Sequence, residues 1–315
     1  MNKFMLGTLV AAVMAATAPS AFAESKEIAV IVKTANANFW QNVRKGAEAA
    51  IKEQPGYTLN FQGPASESNV ADEVNMVENA INRKVAGIVL APSDPDALVP
   101  TAKKAWESGI PLVLIDSAMS PAGDKYYQAF LSTNNDQAGR ACAEELIKRM
   151  GTTGKIAVMS YVPGVGSEIG RVGGFTSYIK EHSKIEIVGP FYSQSLMATA
   201  LNQTIDTMAA NPDLKGIFGA NEPTAEGMGR AIAQSGKSGH ITAIGFDGNQ
   251  GLQDFVRNGT LQGIAVQGSF QMGQLGVQTL LKVISGQKVE KNIDTGVVFV
   301  TKENIDSPEA KNVLY

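Results

Sequence analysis

Short apolar runs rich in β-branched residues alternate with amphipathic helical segments along most of this chain. Ile28 to Val32 predicts a first strand, and the next segment places Phe39, Trp40, Val43 and Ala47 at helical spacing, so that one stripe faces a core. This alternation is typical of a parallel sheet with helices on both faces. The fold class it predicts is α/β, with doubly wound parallel sheets.

The alternation completes one half and then begins again. Further strands are predicted over 59–62, 87–90, 112–115 and 130–132, then over 155–161, 185–188, 216–219, 241–246 and 264–267. Helices are predicted over 69–82, 96–108, 167–182, 196–211, 222–234 and 248–258. Only short turns such as Gly151-Thr152-Thr153-Gly154 separate the halves, so two closely joined lobes are expected.

A last helix over 271–284 and a last strand over 297–300 are too few elements to form a further lobe. We expect them to return to the two lobes, which makes several hinge crossings. The N-terminal lobe is then expected to comprise 24–133 and 268–295, and the C-terminal lobe 134–267 and 296–315, with a ligand cleft between them.

The segment from Met1 to Ala23 has the pattern of an export signal. Lys3 supplies a positive start, Phe4 to Ala16 an apolar run, and Ala21-Phe22-Ala23 a small-x-small cleavage site. The apolar run is shorter than the ~20 residues needed to span a bilayer, so cleavage after Ala23 is expected. An α/β chain outside the cytoplasm has no ready supply of NAD or ATP, which favours a binding protein over a cofactor enzyme.

Composition excludes several classes of partner. The chain has 27 Lys and Arg against 30 Asp and Glu, with a net charge of -3 and no polybasic cluster, so nucleic acid and anionic membranes are poor partners. Cys142 is the only cysteine, so no intrachain disulfide can form, and its apolar neighbours predict a buried helical thiol. Two isolated histidines give no metal-ligand spacing, and we expect no metal or cofactor.

Catalytic patterns mostly fail when their context is considered. Residues 231–238 differ from a phosphate-binding P-loop only at the first residue, but a helix precedes them and a strand follows, which is the reverse of what that loop needs. The spacing of Gly164-Val165-Gly166 to Gly170 is one residue longer than the dinucleotide fingerprint. We therefore expect no enzyme, although carboxylate pairs of a secreted hydrolase are not recognisable from spacing.

Polar residues follow three of the predicted strands, at the carboxyl ends where open α/β sheets bind ligands. They are Asp116, Asn221 and Asp247. Either aspartate alone is equally well a turn or helix N-cap residue, but three together favour a site. Carboxylates accept hydrogen bonds from pairs of hydroxyls, and aromatic rings cover apolar C–H faces, so a neutral polyhydroxyl ligand suits this set. The aromatic candidates are Phe39, Trp40 and Phe246.

Motifs spread along the chain carry a family resemblance. They are Asn38-Phe39-Trp40, Ala91-Pro92-Ser93-Asp94, Ile110 to Asp116, Gly170-Arg171 before Gly173-Gly174-Phe175, Asn211-Pro212-Asp213, Asn221-Glu222 and Ile244-Gly245-Phe246-Asp247-Gly248. With these motifs the chain resembles the periplasmic sugar-binding proteins of ABC importers, of the ribose/allose/galactose-binding type. Lac-type repressors share that fold, but they need a basic N-terminal helix-turn-helix where this chain has an export signal.

The resemblance implies a monomer that captures a small sugar or polyol by lobe closure and delivers it to an ABC permease in the inner membrane. A chemoreceptor is a further implied partner. The alternatives are binding of a sugar-like signal, such as an autoinducer or chemotaxis ligand, and a secreted sugar hydrolase.

The same resemblance implies the site residues. Asp116 is implied as the N-lobe carboxylate, Arg171, Asn221 and Asp247 as the C-lobe polar ring, and Gln267 as a contact at a hinge crossing. The other implied contacts are Phe39, Trp40 and Phe246, with Asn36 or Asn38 substituting for an asparagine of the ribose-type motif.

Two positions depart from the ribose-type pattern. Ala91 stands where those members have an asparagine, and Ser117 where they have an arginine. The N-lobe is therefore expected to offer fewer donors to one end of the ligand, and a sugar other than ribose is expected as the best ligand.

Overall fold

The computed structural model describes residues 26–315, so the predicted export signal and its cleavage site lie outside the described residues. The strands are β1 Lys26–Ile31, β2 Tyr57–Gln62, β3 Gly87–Leu90, β4 Leu112–Ile115, β5 Ala129–Ser132, β6 Thr153–Ser160, β7 Lys184–Tyr192, β8 Leu214–Gly219, β9 Thr242–Phe246, β10 Gly263–Gln267, β11 Asn292–Asp294 and β12 Val297–Val300. The helices are α1 Asn38–Lys52, α2 Val70–Asn82, α3 Val99–Glu107, α4 Asn135–Met150, α5 Gly166–His182, α6 Met197–Ala210, α7 Glu222–Gln234, α8 Gln250–Asn258, α9 Ser269–Ile284 and α10 Pro308–Lys311.

These strands form two six-stranded sheets, one in each lobe. The first has the order β11-β5-β4-β3-β1-β2 and the second β12-β10-β9-β8-β6-β7. All pairs are parallel except β10 with β12, which is antiparallel. The predicted α/β fold class, with doubly wound parallel-sheet lobes, is confirmed. We call the lobe of the first sheet the N-lobe and that of the second the C-lobe.

The chain passes between the sheets three times: between β5 and β6, after β10, and between β11 and β12. Helix α9 packs against α1 and against β3 and β4 of the N-lobe. Helix α4 packs against α5 and against strands β8, β9 and β10 of the C-lobe. The first crossing therefore precedes α4, and the glycine-rich turn at 151–154 lies inside the C-lobe rather than between the halves.

Burial explains why these segments form strands and helices. Every residue of β3 and β4 is buried, as the central strands of a sheet covered on both faces must be. Helix α4, which the sequence prediction did not give as an element, buries the Cys142 thiol as expected. Strand β7 continues to Tyr192, beyond the predicted end at 188. Among the described residues, none of the helices combines the length and apolar character that crossing a membrane requires.

Two glycines allow α4 and α5 to cross closely. A Cβ atom on Gly139 would lie 2.0 Å from the carbonyl oxygen of Arg171, and one on Gly174 would lie 2.2 Å from that of Asp136. Any larger residue at either position would push the helices apart. This close crossing brings the start of α4 next to Arg171.

Candidate functional site

The carboxyl ends of the two sheets face each other across a cavity of about 340 Å³. Both lobes contribute to its wall, which is formed by Lys33, Ala37, Phe39, Trp40, Glu67, Asp116, Tyr161, Ser167, Arg171, Asn221, Glu222, Pro223, Asp247 and Gln267.

On the N-lobe side, Asp116 is held by a buried lysine. Oδ2 of Asp116 accepts hydrogen bonds from Lys33 Nζ at 2.6 Å and from Ser117 Oγ at 2.9 Å. The Lys33 ammonium also donates to Ser117 Oγ at 2.7 Å and, across the cleft, to Ser167 Oγ at 3.3 Å. Both Lys33 and Asp116 are buried, so this ion pair fixes the carboxylate in the cavity wall.

Lys33 places a positive charge in the N-lobe that was not expected from the sequence. It lies beside Ser117, the position where ribose-type members carry an arginine, but its three donors are taken by Asp116, Ser117 and Ser167. The positive charge is thus supplied from the end of β1 instead of the end of β4. Ala91, the other departure, is fully buried in the N-lobe core and lies outside the cavity wall.

Asp247 is held by two donors in the C-lobe. Its Oδ1 accepts from Gln267 Nε2 at 2.9 Å, and its Oδ2 accepts from the backbone N–H of Glu222 at 3.0 Å. Burial raises the pKa of Asp247 to about 6, against the opposing effect of the Arg171 guanidinium. Gln267 Oε1 is buried and has no partner within residues 26–315, which leaves an acceptor in the cavity wall.

Asn221 combines a structural and a site role. Its Oδ1 accepts from the backbone N–H of Thr224 at 3.2 Å, which caps α7. Its Nδ2 donates to Ser195 Oγ at 3.0 Å. The helix cap therefore fixes the direction in which the amide faces the cleft.

Arg171 is fixed on three sides. Its Nη1 donates to the carbonyl of Ala220 at 2.7 Å, and its Nε and Nη2 donate to Asn135 Oδ1 at 3.1 and 2.8 Å. The guanidinium carbon lies 3.6 Å from the centroid of the Phe246 ring. Such stacking favours a planar cation over a lysine ammonium at this position.

Three of the residues named from sequence lie away from this wall. Phe246 is fully buried beneath Arg171 and packs in the C-lobe core. Asn36 and Asn38 are exposed and line a neighbouring groove, and only the backbone N–H of Asn38 reaches the site, where it donates to Glu222 Oε1 at 3.0 Å. Phe246 therefore supports the site through Arg171.

The paired aromatics of α1 both line the cavity. The rings of Phe39 and Trp40 pack edge to face, with centroids 4.8 Å apart. Trp40 Nε1 donates to Glu67 Oε1 at 3.0 Å, which orients the indole. The two rings supply apolar surface to a wall that is otherwise mostly polar.

Several wall residues were missed by sequence reasoning. Lys33 directly follows the first predicted strand, as Asp116 follows the fourth. The argument from polar residues at the carboxyl ends of strands could therefore have identified it too. Glu222 adjoins Asn221 in a quoted motif; burial, with the Asp247 charge as a smaller cause, raises its pKa to about 8. Glu67 lies in a loop after β2, where no sequence signal marked it. Tyr161 and Ser167 are two further wall residues that were missed, and their hydroxyl groups share a hydrogen bond at 2.9 Å.

Direct contacts hold the lobes together around the cavity. Ser195 Oγ of the C-lobe donates to Glu67 Oε2 of the N-lobe at 2.5 Å. The backbone N–H of Ser167 donates to Ser117 Oγ at 3.2 Å. Acceptors and donors from two lobes thus surround one small volume. Within residues 26–315, no cluster of three or more His, Cys, Asp or Glu side chains is arranged to hold a metal ion.

The sequence is similar to those of known sugar-binding periplasmic proteins. The D-allose-binding periplasmic protein of Escherichia coli is 29% identical over 293 residues, covering 91% of this chain and 92% of that protein. The ribose import binding protein of the same organism is 28% identical and covers 96% of this chain and 100% of its own length.

Solved structures give a closer match. An ABC transporter solute-binding protein from Agrobacterium vitis with bound D-fucose is 70% identical, with a TM-score of 0.91, covering 92% of this chain and 100% of that one. A carbohydrate transporter solute-binding protein from Agrobacterium radiobacter in complex with D-arabinose is 34% identical, with a TM-score of 0.88, covering 92% of this chain and 99% of that one.

A family model described as a periplasmic binding protein domain matches residues 28–288, well over half of the chain. The match confirms both the family resemblance read from the motifs and the expectation of a binding protein rather than an enzyme. The chain belongs to the periplasmic binding protein family.

Proposed function

We propose that this protein captures a neutral aldose, with D-fucose as the leading candidate, and delivers it to an ABC importer. The observation that carries the proposal is the cavity itself, where carboxylate acceptors, charged donors and an aromatic pair from two lobes surround a small volume. The bound D-fucose of the 70% identical relative supports the choice of sugar. The proposed ligand contacts are Phe39, Trp40, Asp116, Arg171, Asn221, Asp247 and Gln267, together with Lys33, Glu67 and Glu222.

Charge favours a neutral ligand. The wall carries four carboxyl groups, those of Glu67, Asp116, Glu222 and Asp247, against the two cations Lys33 and Arg171. A sugar acid would bring a further negative charge into this low-dielectric space and pay for its desolvation. Hydroxyl groups can donate to the carboxylates and accept from the Arg171 guanidinium without that penalty.

Recognition requires closure of the two lobes. A sugar that contacts Asp116 on one lobe and Arg171, Asn221 and Asp247 on the other stabilises the closed arrangement over open ones. We assign residues 24–133 and 268–295 to the N-lobe, and 134–267 and 296–315 to the C-lobe. The closed pair of lobes is the form that the permease recognises.

Export is part of the proposal. Family membership supports a periplasmic location. The pattern of residues 1–23 supports cleavage after Ala23, with Glu24 as the new N-terminus. We propose that the mature protein acts as a monomer, and that a chemoreceptor recognises the same closed surface.

A ligand screen on the mature chain, residues 24–315, tests the function. D-fucose, D-galactose, D-arabinose, D-ribose, galactitol and D-galacturonate are compared by thermal shift and titration calorimetry, because a ligand that binds only the folded state raises the melting temperature. We expect a neutral aldose, D-fucose foremost, to bind most tightly and D-galacturonate to bind weakly. Failure of every neutral sugar, or preference for the acid, would overturn the proposal, and sugar breakdown on incubation would favour the hydrolase.

A further inference from the structure

The hydrogen bonds of Arg171 account for three of its five N–H donors. Nε–H and one Nη2–H go to Asn135 Oδ1, and one Nη1–H goes to the carbonyl of Ala220. A guanidinium has five donors in a fixed plane, so within residues 26–315 one N–H remains without a protein partner on each terminal nitrogen. Because Arg171 lines the cavity, this pair of donors is what it offers to a ligand.

Asn135 holds the guanidinium so that these two N–H donors stay free for a ligand. Since a guanidinium group only donates, the amide oxygen of Asn135 must face it and the amide nitrogen must face away. That nitrogen donates to the carbonyl of Thr133 at 3.1 Å and to Ser132 Oγ at 3.4 Å. The asparagine amide is therefore held at both ends, between Arg171 and the first hinge crossing.

The hydrogen bonds continue from the hinge into the N-lobe. Ser132 Oγ, at the end of β5, donates to the backbone carbonyl of Asp116 at 2.8 Å. Hydrogen bonds thus link the Asp116 backbone at the end of β4, through Ser132 and Asn135, to the Arg171 guanidinium of the other lobe, although the Ser132 hydroxyl also lies 2.9 Å from the carbonyl of Thr133. The close crossing of α4 and α5 at Gly139 and Gly174 keeps Asn135 within reach of Arg171.

Helix capping does not account for Asn135. The cap of α4 is Asn134, whose Oδ1 accepts from the backbone N–H of Gln137 at 3.1 Å. The two adjacent asparagines therefore have separate partners, which provides a matched control.

We propose that Asn135 is a positioning residue that orients Arg171 for the ligand and ties this orientation to the hinge. The inference rests on the proposed function, because it requires that Arg171 contacts the bound sugar. Asn135 itself stays outside the cavity wall and acts through the guanidinium.

The test compares the mature wild-type protein with three variants. D-fucose binding is measured by titration calorimetry, and thermal stability is measured without sugar. Asn135→Leu has similar size and no acceptor, and we expect its dissociation constant to rise at least roughly tenfold, as for loss of a hydrogen bond to a charged group. Asn135→Asp keeps the acceptor and loses the donor to Thr133, so it should melt lower yet stay within about threefold of wild-type affinity. Asn134→Ala should melt lower with unchanged affinity.

A double-mutant cycle separates positioning from general damage. In an Arg171→Lys background, Asn135→Leu should weaken D-fucose binding by less than about threefold, because interacting residues are not additive. Full additivity, or wild-type affinity for Asn135→Leu alone, would overturn the inference. If Asn135→Leu does not fold, Asn135→Ala takes its place in the cycle. A wild-type protein that binds no neutral sugar contradicts the proposed function instead, so the two failures are distinguishable.

Discussion

Asp116 and Asp247 occupy equivalent positions in the two lobes and share an unusual backbone conformation. Asp116 directly follows β4 with φ of +64°, and Asp247 directly follows β9 with φ of +74°. Each donates its backbone N–H to the neighbouring strand, to Leu131 O at 2.9 Å and to Ala265 O at 2.7 Å. Aspartate and asparagine tolerate this left-handed region better than most residues. The repeated turn brings one carboxylate from each lobe to the same cavity.

Asp247→Ala should weaken sugar binding at least roughly tenfold, because hydroxyls that lose their acceptor cost about 1–3 kcal/mol each when buried. Asp247→Asn keeps a side chain that suits the positive φ, so it should fold as well as the wild type and lose less affinity. Calorimetry with D-fucose measures both. Asp213→Ala removes an exposed carboxylate that pairs with Lys155 and serves as the control. Equal affinity for Asp247→Ala and the wild type would contradict the C-lobe assignment.

Ser195→Gly should speed sugar release by about threefold to tenfold, since it removes the hydrogen bond to Glu67 between the lobes and the one that Asn221 donates to Ser195 Oγ within the C-lobe. Glycine is chosen because Ser195 has φ of +55°, which would strain an alanine. Stopped-flow release of D-fucose measures the rate, and Ser68→Ala, which changes an exposed serine in the loop that carries Glu67, is the control. An unchanged release rate would rule out the Glu67–Ser195 contact as a stabiliser of closure.

Solution scattering of the wild type tests lobe closure directly. It should show a smaller radius of gyration with saturating sugar than without it.

Ser117→Arg should lower the free energy of unfolding by about 1–3 kcal/mol, because the larger side chain fills space beside the Lys33 ammonium. Lys33→Ser in the same chain should restore at least half of that loss, since it removes the competing cation and frees volume. Urea unfolding of the two single variants and the double variant tests this coupling. Strict additivity would mean that the two side chains do not share a site. The double variant should also bind ribose better relative to D-fucose.

Glu73→Gln should flatten the pH dependence of stability. Glu73 is fully buried, and burial raises its pKa from 4.5 to about 7. An acid with a raised pKa in the folded state contributes stability below its unfolded pKa and loses it as pH rises through about 7. Between pH 5 and pH 8, the free energy of unfolding of the wild type should therefore fall by up to about 3 kcal/mol more than that of the variant.

Glutamine at position 73 can still accept the backbone N–H of Ser93, which donates to Glu73 at 2.9 Å. Urea unfolding at pH 5 and pH 8 measures the effect. Glu78→Gln changes a more exposed carboxyl on the same helix and should leave the pH dependence unaltered. The same pH dependence in Glu73→Gln and wild type would show that Glu73 does not ionise in this range.

The sequence alone determined the fold class and the strand ends that carry the site. Alternating apolar strands and amphipathic helices require a covered parallel sheet, because each segment must bury its apolar face. Strand-end placement predicted that Asn221 and Asp247 lie at one sheet edge and that Asp116 lies at the corresponding edge of the other lobe, where open α/β sheets bind ligands. All three lie in the cavity wall.

Only the tertiary structure decided which neighbours those residues would have. Lys33 reaches Asp116, Glu67 reaches Ser195, and Asn135 reaches Arg171 across separations in sequence of 83, 128 and 36 residues. No local pattern encodes such pairs, because they depend on how the lobes close and how α4 crosses α5. The same reason explains Phe246: its place at the end of an apolar strand, next to Asp247, and the family resemblance suggested a contact with the ligand, whereas three-dimensional packing places its ring under the guanidinium of Arg171.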